Sequence, residues 1–133
     1  MNRVELTVRY ADTDAQGVVF FANYLTYMDE AMTALLAALD CDYQSWLEEG
    51  VDFVYVNAQV SYGGSARHGD VVEVRSEVSR IGRTSFTTSH TLWVGQTRVA
   101  SGELTHVVID TASRQPVPVP TRFRAAVAEV SAT

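Results

Sequence analysis

The chain has 133 residues, 47% hydrophobic and 20% charged, which suits a compact folded domain and excludes a disordered chain. A net charge of −6 argues against general binding to nucleic acid or anionic membranes, which needs basic surface. The lone Cys41 excludes an internal disulfide, no signal-peptide core opens the sequence, and no uncharged apolar run nears the ~18 residues of a membrane span, so the expected location is cytoplasmic.

Residues 4–10, VELTVRY, alternate Val4, Leu6, Val8 and Tyr10 against Glu5, Thr7 and Arg9, the period of a half-buried strand. After Asp12, Asp14 and Gly17, Asn23 is the expected N-cap of a helix. Leu25, Met28, Met32, Leu35, Leu36 and Leu39 follow at helical spacing over 24–39, about 24 Å at the standard rise. YQSWLEEG (43–50) reads as a short helix stopped by Gly50. The period then returns to two. Val54, Val56, Ala58, Val60 and Tyr62 are expected on one face, Val72, Val74, Ser76 and Val78 on the next, and Phe86, Thr88, His90, Leu92 and Val94 on a third. A turn at 94–97 leads to a strand over 98–109, and PVPVP (116–120) ends sheet pairing because proline lacks the ladder donor.

No repeat or linker divides the chain, so residues 1–133 are expected to be one domain. The order is strand, long helix, then four strands. A sheet this long must bury one face, and the 24–39 helix is the expected partner. Its open edges predict a homodimer, two copies pairing edge to edge.

DTDAQGVVFFANYLTYMDEA resembles the opening motif of the 4-hydroxybenzoyl-CoA thioesterase family, roughly D-x-D-x-x-G-V-V-x-x-x-N-Y. YGGSARHGDVVEV (62–74), RIGRTSF (80–86) and ASGELTHVVIDTASRQPVPVP (100–120) extend the resemblance along nearly the whole chain in the family's order. It implies an α+β hotdog fold, an antiparallel sheet of about five strands wrapped around one helix. It also implies an acyl-CoA thioesterase that works as a homo-oligomer, a dimer or a dimer of dimers, and needs no cofactor or metal, with Asp14 as the catalytic residue. Phe21 departs from the family branch with a His there, so position 21 can offer only its backbone N–H.

Thioester hydrolysis needs an attacking oxygen, donors for the developing oxyanion, and a free leaving thiolate. Asp14 suits the role of general base or nucleophile. Unpaired N–H groups at the helix start, those of Phe21 and Ala22, suit the oxyanion. Gly17 permits the chain reversal between them, and Val18–Phe21 keep water out. Gly17, Val18, Phe20, Asn23 and Tyr62 are the expected pocket residues. Tyr62, Phe20, Phe21 and Phe53 are equally consistent with an aromatic pocket, a fatty-chain tunnel or plain core. Asp12 reads as a turn acceptor.

All ten of the Lys and Arg residues are arginines. Arg80, Arg83 and Arg67 are the expected contacts to coenzyme A phosphates, following the family's basic residues around RIGRTSF. His68, His90 and His106 have no metal-ligand spacing, and no serine elbow or phosphate loop is present. Cys41 reads as a small buried hydrophobe. The alternatives are a thioesterase acting on acyl chains carried by a carrier protein, a hotdog dehydratase, which the absence of a His at 21 disfavours, and a non-catalytic acyl-binding module.

Overall fold

A computed structural model describes residues 1–131. Strands β1 (Asn2–Thr7), β2 (Val51–Tyr62), β3 (Val71–Ile81), β4 (Ser85–Val94) and β5 (Thr97–Asp110) form one antiparallel sheet in the order β1-β3-β4-β5-β2. Helix α1 (Asn23–Ala38) buries Tyr24, Tyr27, Met28, Ala31, Met32, Leu35 and Leu36. The concave face beneath it carries Val72 and Val74 from β3, Phe86 and Leu92 from β4, and Leu104 and Val108 from β5, all buried. Each such side chain taken from water contributes about 1.5–3 kcal/mol, the main force holding helix to sheet. This is the expected α+β hotdog arrangement. Helix α2 (Tyr43–Glu48) closes one end through Trp46, whose ring meets those of Phe53 and Phe86 at 5.0 and 5.8 Å.

Three local expectations need correction. β1 stops at Thr7, because Arg9 to Asp12 turns sharply through a 3₁₀ turn at Tyr10–Asp12. Asn23 is not the N-cap; Ala22 holds that position without a side-chain cap, and Asn23 is the first helical residue. In β2 a bulge between Tyr55 and Asn57 breaks the alternation. Before it, Phe53 and Tyr55 pair with Val108 and His106; after it, Ala58, Val60 and Tyr62 pair with Leu104, Gly102 and Ala100. Val54 and Val56 therefore leave that face, and Val56 is 56% exposed. Beyond PVPVP stands an element for which no expectation was stated. A third helix, α3 (Thr121–Ser131), buries Phe123 against Trp46 and Phe86, with ring centroids at 5.0 and 4.9 Å. Arg122 donates to the Asp40 carbonyl just beyond α1, which ties the two helices together.

Candidate active site

The site is built by the segment between β1 and α1. The Val8 N–H donates to the Asp70 carbonyl at 2.8 Å and the Gly69 N–H to the Val8 carbonyl at 3.0 Å. Past this anchor Asp12 is buried, 5% exposed. Its carboxylate accepts from the Arg9 N–H at 3.0 Å, the Arg9 guanidinium at 2.8 Å and the Tyr27 hydroxyl at 2.9 Å. The Arg9 hydrogen bond is the main cause holding the Asp12 carboxyl below its usual range, while burial and Asp12 push the Tyr27 phenol up. The Asp12 carbonyl accepts from the Phe20 N–H and the Asn23 side-chain amide, both at 2.9 Å. Asp12 is thus the structural hub of the loop, and Asn23 serves it instead of capping the helix.

Asp14 lies at the tip. Its N–H donates to the Val18 carbonyl at 2.9 Å, and the Gly17 N–H returns to the Asp14 carbonyl at 3.0 Å. Gly17 has φ +78°, a left-handed conformation that a side chain disfavours. The half-buried Asp14 carboxylate accepts from the Gln16 N–H through Oδ1 at 2.8 Å. Oδ2 has no partner among the described residues.

The loop then enters α1 with spare donors. The N–H groups of Val19, Phe20 and Asn23 are spent on Ala66, Asp12 and Phe20 carbonyls, but those of Phe21 and Ala22 have no acceptor among the described residues. They stand at the uncapped, positive end of a 16-residue helix. Phe20 and Phe21 are 43% and 61% exposed. Their rings lie 4.9 Å apart, and Phe21 meets Tyr62 at 6.4 Å, where the Tyr62 hydroxyl donates to the Phe21 carbonyl at 3.0 Å. Tyr62, Phe20 and Phe21 therefore come together. Phe53 does not: its ring joins Trp46, Phe86 and His106 in the core beneath α2.

The three arginines separate. Val18 pairs with Arg67, and an Arg67 guanidinium nitrogen lies 4.0 Å from where a Gly17 side chain would begin. Arg80 and Arg83 sit at the opposite end of β3, about 30 Å away at the usual strand rise. There Arg124 joins them, donating to the Gly82 carbonyl at 2.8 Å. Arg124 escaped sequence reading because α3 did, although Phe123, Val127 and Val130 carry a helical period.

Within the core, His90 bridges Ser76 at 2.7 Å and Thr88 at 2.9 Å, and Thr88 reaches His106 at 3.2 Å. Burial pushes both imidazoles down to about 4. Among the described residues no three His, Cys, Asp or Glu side chains cluster to hold a metal, and no helix is long and apolar enough to cross a membrane. A carboxylate oxygen without a partner, two N–H groups without acceptors and an aromatic wall form a set suited to acyl transfer.

Residues 8–127 match the thioesterase-like superfamily. The chain is 31% identical over 119 residues to the 1,4-dihydroxy-2-naphthoyl-CoA hydrolase of Synechococcus elongatus, covering 88% of each. It is 30% identical over 119 residues to the acyl-CoA thioester hydrolase YbgC of Escherichia coli, covering 89% of each. The structure of a gentisyl-coenzyme A thioesterase superimposes with a TM-score of 0.86 at 27% identity, over 95% of this chain and 99% of that one.

Proposed function

The chain belongs to the thioesterase-like superfamily, and from that premise we propose that it hydrolyses acyl-CoA thioesters at Asp14, with the Phe21 and Ala22 N–H groups as the oxyanion site. The observation that carries this reading is the pair of unpartnered N–H groups entering α1 from the Asp14 turn. As general base, Asp14 takes a proton from water while the water oxygen bonds to the thioester carbon. The carbonyl oxygen becomes an oxyanion held by the two N–H groups. Its collapse breaks the C–S bond, and the departing thiolate takes the proton. As nucleophile, Asp14 itself bonds to that carbon, expels the thiolate, and leaves a mixed anhydride for water to open.

The acyl group we propose is aromatic. Phe20, Phe21 and Tyr62 offer ring faces and edges at the mouth of α1, and two of the relatives are named for aromatic acyl-CoA substrates. We further propose a homodimer through β2, a long edge strand exposing Tyr55, Val56 and Tyr62. Two-fold pairing of β2 edges reverses the second copy end for end. Its Arg80, Arg83 and Arg124 then approach the Asp14 end of the first, where Arg67 already stands, so that coenzyme A phosphates meet arginines from both copies.

The test is Asp14→Asn, assayed by thiol release on benzoyl, hydroxybenzoyl, short and long acyl-CoAs. Hydrolysis falls by roughly 10³ or more while acyl-CoA affinity and fold are retained. An active Asp14→Asn protein refutes the reading. Single turnover in ¹⁸O water separates the routes, since only the nucleophile leaves label in Asp14. Light scattering reports the dimer.

A further inference from the structure

Five of the six tyrosines commit their hydroxyl. Tyr24 accepts from the Ala66 N–H; Tyr27, Tyr43, Tyr55 and Tyr62 donate to Asp12, Asp52, Asp29 and the Phe21 carbonyl. Of the tyrosines, only Tyr10 leaves its hydroxyl without a partner among the described residues, and it is 79% exposed. Core packing does not account for it. Its ring meets only that of His68, edge to face, with centroids 5.9 Å apart and planes at 83°. An edge contact of this kind leaves the flat face of one ring open to a third.

His68 is exposed and follows Arg67. The Arg67 guanidinium makes no salt bridge or hydrogen bond among the described residues, and it lies over the side-chain-free flank of Gly17. Among the described residues, none of the acids nearby makes an ion pair with Arg67. Asp70 accepts from the Arg67 N–H at 2.8 Å, Asp14 from the Gln16 N–H, and Asp12 is paired with Arg9. An aromatic face with an imidazole against it, and on the residue before that imidazole a guanidinium unpaired among the described residues, therefore flank the Asp14 turn. Their shared chemistry is that of a nucleotide: a base stacks on the ring, and a phosphate takes the fork of the arginine.

We infer that Tyr10, Arg67 and His68 hold the nucleotide end of the substrate, with adenine on the Tyr10 ring and phosphate on Arg67 and His68. This rests on the acyl-CoA reading for the identity of the ligand. Tyr10 precedes Asp14 by four residues, at most about 14 Å of chain, so the flexible arm of coenzyme A has to bridge only a short span to the reacting carbonyl. The assignment adds to Arg67 an aromatic partner and an imidazole from its own chain, neither of which the phosphate contacts proposed above require.

The probe is adenosine 3′,5′-bisphosphate, the nucleotide half of coenzyme A, titrated calorimetrically into the full chain. The native protein binds it, Tyr10→Phe binds as well as native, and Tyr10→Ala and Arg67→Ala each bind about ten-fold more weakly. Inorganic phosphate alone binds far more weakly than the bisphosphate nucleotide. No binding by the native protein, equal binding by Tyr10→Ala, or phosphate binding as tightly as the nucleotide overturns the inference. Asp14→Asn binds the probe as the native protein does. Loss of hydrolysis in that variant tests the catalytic reading separately, so the two fail independently.

Discussion

The Tyr27 hydroxyl, on the second turn of α1, donates to Asp12 Oδ2 at 2.9 Å and so fastens the Asp12–Asp14 loop to the helix that it precedes. Arg9 closes the other side of the same carboxylate. Of the two aspartates in DTD, one is therefore spent on architecture, and the two must respond differently to mutation. Asp12→Ala strips the Tyr27 hydroxyl and the Arg9 N–H of their acceptor, and unfolding stability falls by about 2 kcal/mol. Asp14→Asn keeps its turn and its stability. Urea denaturation of the two variants checks the contrast.

The paired roles of these residues mark how far the sequence could be read. α1 was legible because its apolar residues recur at three and four, and β3 and β4 because theirs alternate, in β3 as far as the bulge between Val78 and Arg80. Each pattern records a single buried face. The β2 bulge was not legible, since Val54 and Val56 continue the alternation and only pairing with β5 shows that one residue is extra. Asn23 suits an N-cap by local chemistry, yet the Asp12 carbonyl across the loop claims its amide. α3 was missed because the prolines before it read as an end instead of a start. In the site, Asp14 and Gly17 could be named from the motif. The distance of Arg80 and Arg83 from Arg67 could not, because it depends on the run of β3.

Ala22 offers a test of the proposed oxyanion donors through the backbone. Its φ of −71° lies close to the value that proline imposes, and its N–H bonds to nothing among the described residues. Ala22→Pro therefore removes one donor with little cost to the fold. The expected result is native far-ultraviolet circular dichroism with kcat lowered by about 10²–10³. Unchanged kcat would remove Ala22 from the donor pair and leave Phe21 alone.

The buried imidazoles set the acid limit of stability. In the unfolded chain they take protons near 6.5, and in the fold burial holds them down to about 4. Between those values the unfolded chain binds more protons, so stability is full above 6.5 and drains away as pH falls towards 4. The loss is at most about 3 kcal/mol per imidazole. Asp12, held low by Arg9, adds its own loss only at lower pH. Thr88 stands between both rings, so the two protonations oppose each other. His106→Leu also removes the one buried nitrogen without a partner among the described residues, Nδ1 of His106. Urea midpoints measured across this range show a shallower pH slope for that variant, by about one proton.

Gly102, on β5, leaves room for the Met28 side chain of α1. A Cβ there would stand 2.7 Å from Met28 Cε, 2.8 Å from Met28 Sδ and 2.9 Å from the Gln59 carbonyl oxygen. The methionine is flexible and can withdraw within limits set by its complete burial. The carbonyl belongs to the neighbouring strand and moves only if the β2–β5 ladder moves with it. Gly102→Ala is therefore expected to cost about 2 kcal/mol, and Met28→Ala about 3 kcal/mol through the cavity that it leaves. In the double variant the clash with Met28 is gone but the clash with Gln59 remains, so adding Gly102→Ala to Met28→Ala still costs about half of what it costs alone. A double-mutant cycle in urea measures this. If the alanine becomes free once Met28 is removed, the strand yields, and close packing of α1 is the whole reason for glycine at 102.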